Sequence, residues 1–202
     1  MTKAKENKYL DSLACRAMFG TLQLQTEIEE VDDSMVCRLK KMSQELNRRF
    51  VAVDLRTDML QKQGCQKRGV NGVKSCYTAQ DAGEFLKKIG FGRDTVIYVT
   101  QPRWHSNLVA LRHIFPKTYT KQDGIIQADK KAKFLSSGSS EYEKVMDLSI
   151  GAQSDIFVPA IFSLIYANVA GMRIASGKTQ ILVPDLINTS SSASDYISPY
   201  VS

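Results

Sequence analysis

Short apolar runs rich in β-branched residues, set between longer segments of helical period, constrain this chain more than any other feature. Phe50-Val-Ala-Val-Asp-Leu55, Thr95-Val-Ile-Tyr-Val99, Asp155 to Val158 and Thr179 to Val183 are each too short for a helix and are bounded by turn or loop signals. Continuous apolarity, in place of strict alternation, marks strands covered on both faces, the habit of parallel strands. Between the runs the period changes. From Thr26 onward Ile28, Val31, Met35, Leu39, Met42 and Leu46 recur every three or four residues, and Thr26 with Glu29 has the form of a capping box. Thr78 with Asp81 opens a second helix that carries Ala82, Phe85, Leu86 and Ile89 and stops at Gly90. Further helices are expected over Ser106 to Ile114, Tyr142 to Ile150 and Ala160 to Ala170.

This alternation predicts an α/β fold, a Rossmann-like, doubly wound and mostly parallel sheet over residues 26–187, with residues 1–25 before it. Residues 188–202 are Ser-rich and aperiodic, and are expected to form a mobile tail or a segment that needs further neighbours. Ligands of such sheets bind outside the carboxyl ends of the strands, so those ends are where functional side chains are sought.

The net charge of +6 would suit an anionic partner. Much of it, however, falls at Arg38, Lys40, Lys41, Arg48 and Arg49, at or just beyond the rear of a helix whose front carries Glu27, Glu29, Glu30, Asp32 and Asp33. That order complements the helix dipole, and no aromatics are interleaved for base stacking, so nucleic acid is not an expected partner. No apolar run approaches the roughly 18 residues of a membrane span, and Met1 to Tyr9 is polar, so neither an anchor nor a targeting signal is expected in these residues. Cys15, Cys37, Cys65 and Cys76 contain no C-x-x-C pair, and neither histidine is spaced with them as a zinc ligand, so no metal is expected. Cys65 and Cys76 bracket a Gly- and Lys-rich loop and suit either a disulfide in an oxidising lumen or two buried thiols.

Three clusters fall at strand ends. Asp54-Leu55-Arg56 brings a guanidinium to the end of the first run, where it could grip phosphate oxygens bidentately or pair with Asp58. Thr100-Gln-Pro-Arg103 follows the second run and could frame a sugar or diphosphate, or be a plain loop. In Gln153-Ser-Asp-Ile-Phe-Val-Pro159, Asp155 could accept from a nucleobase or ribose, or serve a cap or turn. Ser176-Gly-Lys-Thr179 is not a phosphate-binding P-loop, because five residues instead of four separate Gly171 from Gly177 and the motif precedes a strand. Gly90-Phe-Gly92 reads as a turn, His105 and His113 as solvated helix residues, and Asn188-Thr-Ser190 as a sequon that matters only in a secretory compartment.

Together, Val51-Ala-Val-Asp-Leu-Arg56 with Asp58-Met-Leu60, Gly64-Cys65, Ile97-Tyr98, Phe115-Pro116 with Tyr119-Thr-Lys121, and Gln153 to Pro159 resemble the plant O-fucosyltransferase-like proteins. Gln101-Pro-Arg-Trp-His-Ser-Asn-Leu108 and Ile174 to Val183 resemble their mannan-synthesis-related subgroup in particular. The resemblance implies the donor-binding C-terminal lobe of a two-lobed GT-B glycosyltransferase, a GDP-fucose or GDP-mannose donor, no metal, a polysaccharide or glycoprotein acceptor, and a Golgi location. It implies that residues 1–25 are the end of a preceding lobe, with most of that lobe and a membrane anchor outside these 202 residues. By the same resemblance Arg56 is the catalytic arginine that holds the donor diphosphate, Asp155 the carboxylate at the guanosine end, Ser154 and Phe157 members of the same motif, and Ser163 a phosphate contact. Asp54 stands where many members have His, and a carboxylate there repels a diphosphate. That departure admits a second expectation, a non-catalytic partner that modulates a Golgi glycan synthase.

Overall fold

A computed structural model of the chain describes residues 14, 17–20, 24–55, 77–101, 104–123, 141–159, 164–184, 189–198 and 201. Its elements are α1 (Thr26–Gln44), β1 (Phe50–Asp54), α2 (Ala79–Lys88), β2 (Val96–Val99), a 3-10 turn (Ser106–Leu108) running into α3 (Val109–Ile114), β3 (Thr118–Tyr119), α4 (Glu141–Gln153), β4 (Ile156–Pro159), α5 (Leu164–Ala175) and a last 3-10 turn (Ala193–Tyr196). The sheet has the order β3-β2-β1-β4, and every pairing is parallel. A parallel bridge from Phe157 to Ile181 adds a fifth line beside β4.

Successive strand residues point to opposite faces. Phe50 and Ala52 therefore enter a core with Val31, Met35, Ile150 and Val169 from α1, α4 and α5. Val51 and Val53 enter a second core with Ala82, Leu86 and Leu111 from α2 and α3. All five residues of β1 are buried, which is why the run shows no polar alternation. The crossovers β1-α2-β2-α3-β3 cover one face and β3-α4-β4-α5 the other, so the winding reverses between β1 and β4. This is the doubly wound α/β fold expected, consistent with a Rossmann-like glycosyltransferase fold.

Four details depart from expectation. The cap of α1 is Gln25 (ψ 138°), with no side-chain hydrogen bond. Thr26 is already the first helical residue, and a capping side chain must sit on a non-helical residue to reach the free N–H groups. The strand expected over Thr179 to Val183 is reduced to bridges at Ile181 and Leu182, the latter antiparallel to Ile197. The two-residue β3 was not expected, since a pair of residues carries no period. The Ser-rich end is not loose over residues 189–198: Tyr196 is buried edge-on to Phe85 with ring centroids 4.9 Å apart, and the Tyr166 and Ser198 hydroxyls are 2.6 Å apart. A tyrosine and a serine anchor this stretch, and two anchors leave no periodic trace. Nearer the start of the chain, Phe19 packs so closely on Gly171 of α5 that a Cβ there would lie 2.3 Å from its ring.

The capping box on α2 forms as expected. Asp81 N–H donates to Thr78 Oγ1 at 3.1 Å, and Thr78 N–H donates to Asp81 Oδ2 at 2.9 Å. The same helix ends at Gly90, whose φ of +95° favours glycine, with open space where a Cβ would stand. Gly90→Ala is expected to lower the midpoint of urea unfolding by the equivalent of about 1 kcal/mol with an unchanged m-value, a backbone effect without a packing effect.

Candidate functional site

At the carboxyl edge, β1 delivers Asp54 and Leu55 beside the end of β4, with Asp54 in register with Pro159. The Asp54 side chain does not project into open solvent: it is fully buried, and the Thr100 hydroxyl donates to its Oδ1 at 2.6 Å. Thr100 N–H donates to Val53 O at 3.1 Å, which ties the end of β2 to β1. Gln101 N–H bends back to Val99 O at 2.8 Å, so the chain turns sharply as it leaves the sheet. The Tyr77 hydroxyl donates to Pro184 O, joining the start of α2 to the line beyond β4. Further out, the Arg112 guanidinium lies 3.4 Å from the Trp104 ring centroid while donating to Thr118 O and Asp123 Oδ1. This edge is thus a braced rim at the point where the winding reverses. Arg56 and Ser163 lie outside the described residues, as do Pro102, Arg103, Cys65 and Cys76. Arg56 follows Leu55 directly, and Ser163 directly precedes α5, whose N-terminus faces the same edge.

Ser154, Asp155 and Phe157 are not at that edge. Parallel pairing sets Val51 against Ile156, so Ser154 and Asp155 precede β4 at the amino edge, the far end of the sheet from Leu55. The expectation that Asp155 shares a crevice with the end of β1 is corrected by this register. Each residue of the segment has a local partner. Asp155 Oδ2 accepts from Phe50 N–H at 2.9 Å, supplying the bond that the first residue of β1 lacks at the sheet margin. Ser154 is fully buried and its hydroxyl donates to Gly151 O at 2.8 Å. Phe157 is a core residue between α4 and α5, its ring 6.4 Å from that of Tyr166.

The hub of the amino edge is a residue that the sequence did not single out. Arg173, fully buried on α5, donates through Nη1 to Gly151 O, Ala152 O, Ser154 O and Ser154 Oγ at 2.7 to 3.3 Å. Through Nη2 it reaches Asp155 O and Gln180 O at 3.1 and 3.0 Å. Lys178 Nζ donates to Gln153 O at 3.0 Å. Two cations therefore cover the carbonyls at the end of α4, where the helix dipole is negative. Burial pulls the Arg173 guanidinium down to about 10, opposed by the Asp155 charge, and it remains a cation at neutral pH. Ser176-Gly-Lys-Thr179 thereby gains a role without phosphate: Gly177, at φ +72°, ends α5 and positions Lys178 as this cap.

A second buried polar group lies under α1 and α4. Lys121 Nζ meets Asp147 Oδ2 at 2.5 Å, and the Tyr98 hydroxyl donates to Asp147 Oδ1 at 2.8 Å. Burial and then the Asp147 charge hold Tyr98 well above the usual phenol range, so it stays a donor. The signal in sequence was Lys121 two residues after a strand too short to recognise. His105 caps the 3-10 turn, its Nδ1 accepting from Asn107 N–H at 3.2 Å. Among the described residues no helix is long and apolar enough to cross a membrane, and no three His, Cys, Asp or Glu side chains are grouped as metal ligands.

The family model described as GDP-fucose protein O-fucosyltransferase matches residues 2–175. The chain is 52% identical over 203 residues to Protein MANNAN SYNTHESIS-RELATED 1 of Arabidopsis thaliana, covering 100% of this chain and 48% of that protein. It is 51% identical over 202 residues to Protein MANNAN SYNTHESIS-RELATED of Trigonella foenum-graecum, covering 99% and 48%. O-fucosyltransferase 29 of Arabidopsis thaliana is more distant, 27% identical over 211 residues that cover 87% of this chain and 36% of that protein. The chain spans about half the length of the mannan-related relatives it matches. With the family model spanning most of the sequence, the chain belongs to the GDP-fucose protein O-fucosyltransferase family.

Proposed function

We propose that the chain is the donor-binding half of a glycosyltransferase of cell-wall mannan synthesis, taking GDP-fucose or GDP-mannose at the carboxyl edge where β1 meets β4. The observation that carries this reading is family membership over residues 2–175 joined to a doubly wound sheet whose winding reverses between β1 and β4, with Arg56 two residues after β1 in sequence. In this reading Arg56 forks the diphosphate oxygens and stabilises the charge that grows on the departing GDP, so that no metal is required. Ser163, at the N-terminal side of α5, is a second phosphate contact. Ser154, Asp155 and Phe157 support the site from the opposite edge instead of touching the donor. The sugar is passed to a polysaccharide or glycoprotein acceptor held with the aid of a further lobe, in the two-lobed GT-B manner, in the Golgi. Isothermal titration of this chain with GDP is expected to show binding that weakens at least tenfold in Arg56→Ala. No binding by the parent, or equal binding by both, would sink the proposal.

One observation favours a second reading, a non-catalytic partner that modulates a Golgi glycan synthase. Asp54 places a carboxylate two residues before Arg56, and its bond to Thr100 builds it into the rim. Turnover of a GDP-sugar by the full-length protein would eliminate that reading.

A further inference from the structure

On the face away from β1's neighbours α2 and α3, helices α1, α4 and α5 leave a cavity of about 630 Å³. Phe19, Leu24, Val145, Leu148 and Met172 give it apolar walls. Asp32 lines it too, although that residue is only 1% exposed. Its Oδ2 accepts from the Ser149 hydroxyl and from Gln153 Nε2, the latter at 3.0 Å. Its Oδ1 is buried and has no hydrogen-bond partner. A buried carboxyl oxygen left without a donor is costly, and such exceptions call for a cause.

The charges around the cavity indicate what donor would fit. Glu29 and Asp33 also line it and are exposed. Among the described lining residues the one cation is Lys178, whose Nζ is already held by Ala152 O and Gln153 O at 3.4 and 3.0 Å. Among the described residues three carboxyls therefore line the cavity against one ammonium. Burial, the largest influence, pushes the Asp32 carboxyl up to about 7, although the Ser149 hydroxyl opposes it. An incoming cation offsets that desolvation more strongly than a neutral donor such as the Ser149 hydroxyl does.

We propose that this cavity is a second ligand site, separate from the carboxyl edge, that takes an ammonium or guanidinium group on an apolar stem, with Asp32 as its counter-ion. The stem lies against Leu148, Val145 and Met172, and the charged head meets the Asp32 carboxyl where that residue lines the cavity. Both a free alkylamine and the lysine side chain of a partner protein have this chemistry.

Thermal unfolding of the chain with n-hexylammonium, and with hexan-1-ol as its neutral counterpart, tests the proposal. The amine is expected to raise Tm in a saturable way and the alcohol to have at most a tenth of its affinity. Asp32→Asn, close in shape but uncharged, is expected to weaken the amine at least tenfold. Leu148→Trp, which fills the cavity and leaves the carboxyl in place, is expected to do the same. Should Asp32→Asn fail to unfold cooperatively, Leu148→Trp alone decides. An acetylated lysine-bearing tetrapeptide that binds more tightly than hexylammonium identifies a protein side chain as the source, and weaker binding identifies a free amine. Equal affinity for amine and alcohol, no saturable shift, or an amine shift untouched by the folded variants overturns the proposal.

Discussion

Arg173→Met is expected to lower the stability of the chain by about 3–5 kcal/mol, because several buried acceptors lose their donor at once. Methionine replaces much of the aliphatic stem, so the loss reads the guanidinium and not its packing. The guanidinium serves six acceptors, among them the Gly151 and Ala152 carbonyls at the end of α4 and the Ser154 hydroxyl that joins α4 to β4. Each acceptor left buried without a donor costs about 1–3 kcal/mol, and relaxation and water entry keep the total below the sum. Arg173→Lys should recover only a small part, because an ammonium cannot span acceptors on both sides of a planar fork. Guanidinium chloride unfolding checks both variants. A loss under 1 kcal/mol in Arg173→Met would show that the carbonyls find other donors and that the hub is dispensable.

This hub explains why one part of the site was legible in sequence and another was not. The strands were readable because Val51, Ala52, Val53 and their neighbours are buried on both faces, and a continuous apolar run is the direct imprint of that burial. Thr78 and Asp81 were readable because a capping box is local. Ser154 and Asp155 misled because a polar pair at the start of a strand looks alike whether it meets a ligand or closes a helix end. Only the register of β1 with β4 shows which edge it occupies. Their true partner, Arg173, lies 18 or 19 residues further on, across a strand and most of a helix. No period or spacing rule links positions related only by the packing of α5 on α4. The Asp32 cavity was hidden for the same reason: Asp32 reads as one more acid at the front of α1, and Ser149 and Gln153 close over it 117 and 121 residues later.

Lys121→Met is expected to cost a similar 3–5 kcal/mol while leaving the GDP affinity of the folded molecules unchanged. The lysine follows β3 in the segment Tyr119-Thr-Lys121, so its sequence position invites a role in binding phosphate. Its side chain is instead 0% exposed, and Asp147, 3% exposed, receives its ammonium. Removing the lysine takes away the ammonium that meets Asp147 Oδ2 and leaves the Tyr98 hydroxyl on Oδ1. The net worth of such a pair is small, because desolvating both charges offsets most of their attraction, so the cost belongs to breaking the pair and not to lacking it. The double variant Lys121→Met with Asp147→Leu should therefore be more stable than Lys121→Met alone. A double-mutant cycle by urea unfolding should give a coupling of about 2 kcal/mol or more, above the few tenths seen for independent sites. Additive losses would mean that the two charges do not depend on each other. A parallel fall in GDP affinity would place Lys121 in the donor site after all.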